Sequence, residues 1–117
     1  MAVIRINDLK LRAIIGAHSW ERKQRQDVII NLAITYDYTK AAQSDCLKDA
    51  LDYEALATLV SKVVESSKHV LLEKLASQIM KILLENPKIR SAWVKIDKPQ
   101  AIAAAKSVSL ELYGDNS

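Results

Sequence analysis

WVKIDKPQAIAAAKSVSLEL, residues 93–112, is the stretch that decides the fold. Ala92, Val94 and Ile96 alternate with polar neighbours over Arg90 to Asp97, the period of two that marks a half-buried strand. Lys98-Pro99 then makes a corner. Small residues follow, with Ala101, Ala103, Ala104 and Ala105 stripping away bulk. Val108, Leu110 and Leu112 restore the alternation from Ser107 to Tyr113. The two strands close the chain. Proline disfavours the helical basin for the residue before it, so Lys98 is held extended. The small residues behind it leave room for a flat ligand or a neighbouring chain.

Further strands and two helices lie upstream. Val28, Ile30, Leu32, Ile34 and Tyr36 share one face of a strand over Asp27 to Tyr38. Val3 to Ile15 is also strand-like, but its phase slips across Asn7-Asp8, the mark of a bulge, and Gly16 ends it. Asp52 is placed to cap a helix whose inward face is Leu56, Leu59, Val60, Val63 and Val64. A second helix runs from about Leu71 to Glu85 with Leu72, Leu75, Ala76, Ile79, Ile82 and Leu83 inward, and Pro87 stops it. The order ββααββ predicts an α+β fold, an antiparallel sheet with two helices on one face. It also leaves two open sheet edges, which invite self-association.

The totals narrow the function. The 117 residues read as one domain, residues 1–117, with half of them hydrophobic. No run of about 18 apolar residues offers a membrane span, and the start carries no apolar leader block, so a cytoplasmic protein is expected. The formal charge of +3 suits an anionic small molecule or solubility alone. No arginine-rich helix, zinc-finger spacing or aromatic stacking motif points to nucleic acid. His18 and His69 have no partners at metal-ligand spacing, and no metal is expected. With only two glycines there is no phosphate-cradling loop. The single cysteine, Cys46, reads as a spare thiol.

Four residues sit where chemistry is available: Glu21 in GAHSWERKQRQ, Tyr53 in DALDYEAL, Glu73 in VLLEKLA, and Lys98. Each also has a plain role, as a solvated loop carboxylate, a packed ring, a favourable acid near a helix start and a charged turn residue. Together they are an acid, a phenol, a second acid and a restricted lysine, all at the ends of elements where loops gather.

These places carry a resemblance. IRINDLKLRAIIG, RQDVIIN, DALDY, LLEKLA, IDKPQA and SVSLEL, in that order, resemble the dihydroneopterin aldolase family over nearly the whole chain. RQD, LLEKL and SVS resemble its dihydroneopterin triphosphate 2′-epimerase branch in particular; aldolases share most of the motifs, and Lys98-Pro99 is common among them. The resemblance implies the tunnelling fold (T-fold), with ββααββ units joined into four-membered rings and two rings stacked as a homo-octamer. It implies active sites between subunits. It further implies that Glu73 grips the pterin ring, with Leu72, Leu51 and Ala17 contributing backbone contacts. Lys98 would act as acid–base, Tyr53 in proton transfer and Glu21 in orienting water and substrate hydroxyls. Neither cofactor nor metal is implied, because the ring itself accepts electrons. Arg22, Lys23 and Arg25 are the expected cations for a triphosphate, though a solvated basic loop explains them equally. The alternatives are an aldolase that releases glycolaldehyde and a ring protein that binds pterin without turnover.

Overall fold

The computed structural model describes residues 1–116; Ser117, the last residue of the expected domain, lies outside the described residues. Strands β1 (Ala2–Ala13), β2 (Gln26–Tyr36), β3 (Ile89–Pro99) and β4 (Ser107–Asp115) form one antiparallel sheet in the order β1-β2-β3-β4. Helices α1 (Thr39–Ser44), α2 (Tyr53–Ser66) and α3 (Leu72–Leu84) lie between β2 and β3 in the chain. The short α1 is not signalled by the sequence pattern, since none of its residues is buried. Both long helices pack on one face of the sheet, α2 chiefly on β1 and α3 on β3 and β4.

The expected pattern holds with shifts at its ends. β1 stops at Ala13, before Ile15, and β2 starts at Gln26 and stops at Tyr36. The slip in β1 is real: pairing jumps between Ile6 and Leu9, and Asp8 takes a φ of 55°. Asn31 braces this bulge, accepting from the Asp8 N–H at 2.8 Å. β3 continues through Lys98 and Pro99, which pair with Val108 and Ser107, so the corner comes at Gln100 with a φ of 62°. Lys98 therefore belongs to a strand and shares its face with Ile96 and Val94.

Asp52 does cap α2, its Oδ1 accepting from the Ala55 N–H at 3.0 Å. The inward face of α2 is narrower than expected. Leu56, Val60 and Val64 are buried, whereas Val63 is half-buried and Leu59 is 45% exposed. The helix leans on β1, so a single stripe of residues four apart reaches the sheet. Leu59 instead faces a groove shared with Leu47 and Ile82. The core joins that stripe to Leu75, Ile79 and Leu83 of α3 and to Val28, Ile30, Leu32, Val94 and Ile96 of the sheet. Burying such side chains contributes about 1.5–3 kcal/mol each and sets how the helices lie.

On the opposite face, Arg5, Ala33, Trp93 and Tyr113 line up across the four strands. Tyr113 and Val3 stand exposed there. No helix among the described residues is long and apolar enough to cross a membrane.

Candidate active site

The direction of each element decides which candidates can meet. A short turn after α3 sends β3 back along it, so Lys98 returns to the end of the molecule where α3 begins. β2 starts at that same end, and the loop before it holds Glu21 in a one-turn 3₁₀ helix, Ser19–Arg22. Glu21 and Lys98 form an ion pair across 77 positions of sequence. The pair is enclosed: the Lys98 side chain is 12% exposed and that of Glu21 5%.

The Glu21 carboxylate accepts two further hydrogen bonds. The His18 N–H donates to Oε1 at 3.1 Å, and Gln26 Nε2 donates to Oε2 at 3.0 Å. Gln26 also donates to the Ile15 carbonyl at 2.8 Å, so it locks the carboxylate to the end of the first connection. Gly16 lies beneath it at a φ of 127°, and a Cβ at Gly16 would overlap the carboxylate. Burial alone pushes the carboxyl up. The hydrogen bonds from Lys98, Gln26 and His18, with the lysine's charge, outweigh that and lower it from 4.5 to about 2. Glu21 is thus a fixed anion that orients the Lys98 side chain.

This geometry has a consequence for acid stability. The unfolded chain binds a proton at Glu21 near pH 4.5, and the native one only near pH 2. The pair's contribution is complete above the higher value and fades as pH falls to the lower one, a loss on the order of 3 kcal/mol. Denaturant titrations at fixed protein concentration between pH 6 and about 2.5 should show this slope in the parent and lose it in Glu21→Gln. Parallel curves for the two proteins would rule it out.

Glu73 is exposed in the first turn of α3, at the same end of the molecule. Leu71 precedes the helix and supplies no side-chain cap, so the leading N–H groups near the half-buried Leu72 have no side-chain acceptor. Ala17 is exposed in the loop that leads to Glu21. Glu21, Lys98, Glu73, Leu72 and Ala17 therefore share one end.

Tyr53 and Leu51 do not. α2 runs toward the Glu21 end, where Arg25 donates to the Glu65 carbonyl at 2.6 Å. Its first residue, Tyr53, lies at the other end of this 14-residue helix, about 20 Å away along the axis. The opposite location is confirmed by Lys88, in the turn between α3 and β3, which donates to the carbonyls of Lys48 at 2.7 Å and Ala50 at 2.9 Å. Tyr53 is 59% exposed there, and the buried Leu51 lies beside it. Both border an open cleft along α2 with Asp52, Thr58 and Lys62. One chain thus carries two separate sets of candidates rather than one.

The basic loop is partly engaged. Arg22 Nη1 donates to the carbonyls of Gly16 at 3.1 Å and His69 at 3.0 Å, and Nη2 donates to that of Lys68. Arg25 bonds to main-chain carbonyls through one edge, and Lys23 is exposed. Reading the sequence did not single out Gln26, Gly16 as the floor of the site, or Arg22 as a latch. The Gly-x-x-x-x-Glu spacing with a glutamine beyond it is the local signal that was available.

Comparison with known proteins gives a consistent result. A family model described as dihydroneopterin aldolase (FolB) matches residues 4–113. A dihydroneopterin triphosphate 2′-epimerase of Pseudomonas aeruginosa is 40% identical over 97% of this chain and 93% of its own length. A dihydroneopterin aldolase of Escherichia coli K12 is 31% identical over 99% of this chain and 95% of its own. The crystal structure of Escherichia coli dihydroneopterin aldolase in complex with neopterin superposes with a TM-score of 0.93 at 29% identity, covering 97% of this chain and 99% of that one.

Proposed function

The chain belongs to the dihydroneopterin aldolase family, and from that premise we propose that it is a dihydroneopterin triphosphate 2′-epimerase of the cytoplasm. The observation that carries the reading is the enclosed Glu21–Lys98 pair beside the start of α3, a proton-handling couple next to an exposed carboxylate. In this reading Glu73 accepts from the amino group and adjacent N–H of the pterin edge, a two-point contact suited to a carboxylate. The N–H groups around Leu72, and the backbone at Ala17, complete the grip.

The dihydropterin ring holds a C=N bond beside its side chain. Lys98, entering the step as the neutral amine, takes the proton of the C2′ hydroxyl through water ordered by Glu21 and becomes the ammonium that the Glu21 carboxylate holds. The C1′–C2′ bond breaks, its electron pair enters the ring as an enamine, and C2′ leaves as an aldehyde carbon. Re-addition to the other face of that carbonyl inverts C2′ and returns the proton. If the aldehyde departs instead, C1′ takes a proton and the outcome is the aldolase reaction. Both outcomes share the cleavage step and differ in how long the fragment is held. The ring supplies the electron sink, so no cofactor is required by this route.

Tyr53 and Leu51 come from another copy in this reading, because one chain holds them at the far end of α2 from the Glu21–Lys98 pair. Residues 1–117 thus serve as one T-fold domain, with open β1 and β4 edges joining in a ring and rings stacking as an octamer. Lys23 and the outward edge of Arg25 meet the triphosphate, Arg22 having its donors on carbonyls.

The aldolase reading is the second, favoured by the aldolase relative and its neopterin complex. Offering the purified protein dihydroneopterin triphosphate and dihydroneopterin, and following C2′ inversion against release of the two-carbon aldehyde (triphosphorylated from the first substrate, glycolaldehyde from the second), decides between them. Inversion of the triphosphate in excess of release is the expected result. Release alone makes it an aldolase, and ligand binding with no turnover leaves a pterin-binding protein.

A further inference from the structure

We infer that Arg22 is a positioning residue: its guanidinium locks the loop that holds Glu21 to the lead-in of α3 that carries Glu73. The inference rests on the active-site reading above and adds a residue to it.

The contacts are specific. The loop sits on one side, represented by the Gly16 carbonyl, which receives Nη1 at 3.1 Å. The segment before α3 sits on the other, represented by the His69 carbonyl at 3.0 Å and that of Lys68. These residues are 46 and 47 positions from Arg22, so nothing in the local chain brings them together. The Gly16 N–H adds a second stitch to the His69 carbonyl at 3.3 Å. His69 is itself fixed to α3, its Nε2 lying 2.6 Å from Gln78 Oε1. Glu73 follows His69 by four residues, and Glu21 immediately precedes Arg22.

The arrangement needs a guanidinium. Three carbonyls at different places are met by donors held rigidly in one plane. A lysine keeps the charge but presents a single nitrogen, and cannot span them. Among the described residues, the other hydrogen bond from this loop to the lead-in is that of the Gly16 N–H to the His69 carbonyl. Without Arg22 the proton-handling pair and the ring-holding carboxylate each survive, but the loop loses its side-chain ties to Lys68 and His69 and their separation is held less tightly. Misplacement of reacting groups by about 1 Å costs roughly 100-fold in rate.

Two roles for Arg22 give opposite results. As a positioning residue, Arg22→Met lowers kcat by roughly 100-fold on dihydroneopterin triphosphate and on dihydroneopterin alike, with KM moving much less. Arg22→Lys fails to recover it. As a phosphate ligand, Arg22→Met raises KM for the triphosphate only, and Arg22→Lys recovers most of the loss. That second pattern, or wild-type kcat in Arg22→Met, overturns the inference. Thermal midpoint and assembly size of each variant establish that it is folded, with Arg22→Lys serving if Arg22→Met is not. Should the parent turn over neither substrate, the functional reading fails by itself. The latch is then still read by amide exchange at Gly16, which should quicken in Arg22→Met; unchanged protection there overturns it.

Discussion

Lys98→Met is expected to cut turnover by roughly 10²–10⁴-fold, the range a positioned acid–base group contributes. Stability must be separated from chemistry before that number is read. Lys98 is one half of an enclosed pair, and removing it leaves the Glu21 carboxylate with only Gln26 and the His18 N–H. An uncompensated buried charge costs about 3–5 kcal/mol, or drives the carboxyl to take up a proton. The single variant should therefore melt lower as well as turn over slowly. The double variant Glu21→Gln/Lys98→Met removes both charges and should regain much of the melting temperature with no regain in rate. Activity within about threefold of the parent in Lys98→Met would end the proton-relay account.

The second large effect falls on binding. Glu73→Gln keeps the size of the side chain and removes the charge proposed to accept two N–H donors from the pterin edge. Hydrogen bonds to charged groups contribute about 1.5–3 kcal/mol, so affinity for neopterin should fall roughly 10- to 100-fold by calorimetry. Glu73 is exposed, so its replacement should leave the thermal midpoint where it was. Full affinity in this variant would remove residue 73 from the site and, with it, the orientation of the ring toward Lys98.

The sheet and the two long helices were legible because burial writes its period into the chain. Ile30, Leu32 and Ile34 alternate, Leu75, Ile79 and Leu83 recur every four, and the missed beat at Asn7-Asp8 is the observed bulge. Asp52 and Pro87 marked helix ends for local reasons that need no tertiary context. Leu59 misled because it lies near the apolar stripe of α2 while the helix is tilted toward β1. The site was only half legible. Glu21 and Lys98 could be nominated by type and place, but their pairing spans 77 positions and depends on how β2 and β3 register. Gln26 and Arg22 act through carbonyls and a carboxylate brought from afar, and such contacts leave no periodic trace. Tyr53 was grouped with the others because all four lie at element ends. Helix direction then placed it at the far end of the molecule.

With the site divided between copies as proposed, the length of α2 makes defects curable by mixing. Lys98→Met and Tyr53→Ala damage opposite ends of the chain, so each alone should be silent in an assembly of identical copies. Refolded together, some junctions will unite an intact tyrosine end with an intact lysine end, and those junctions should come back to life. In a cell carrying both alleles, the two broken genes would complement each other.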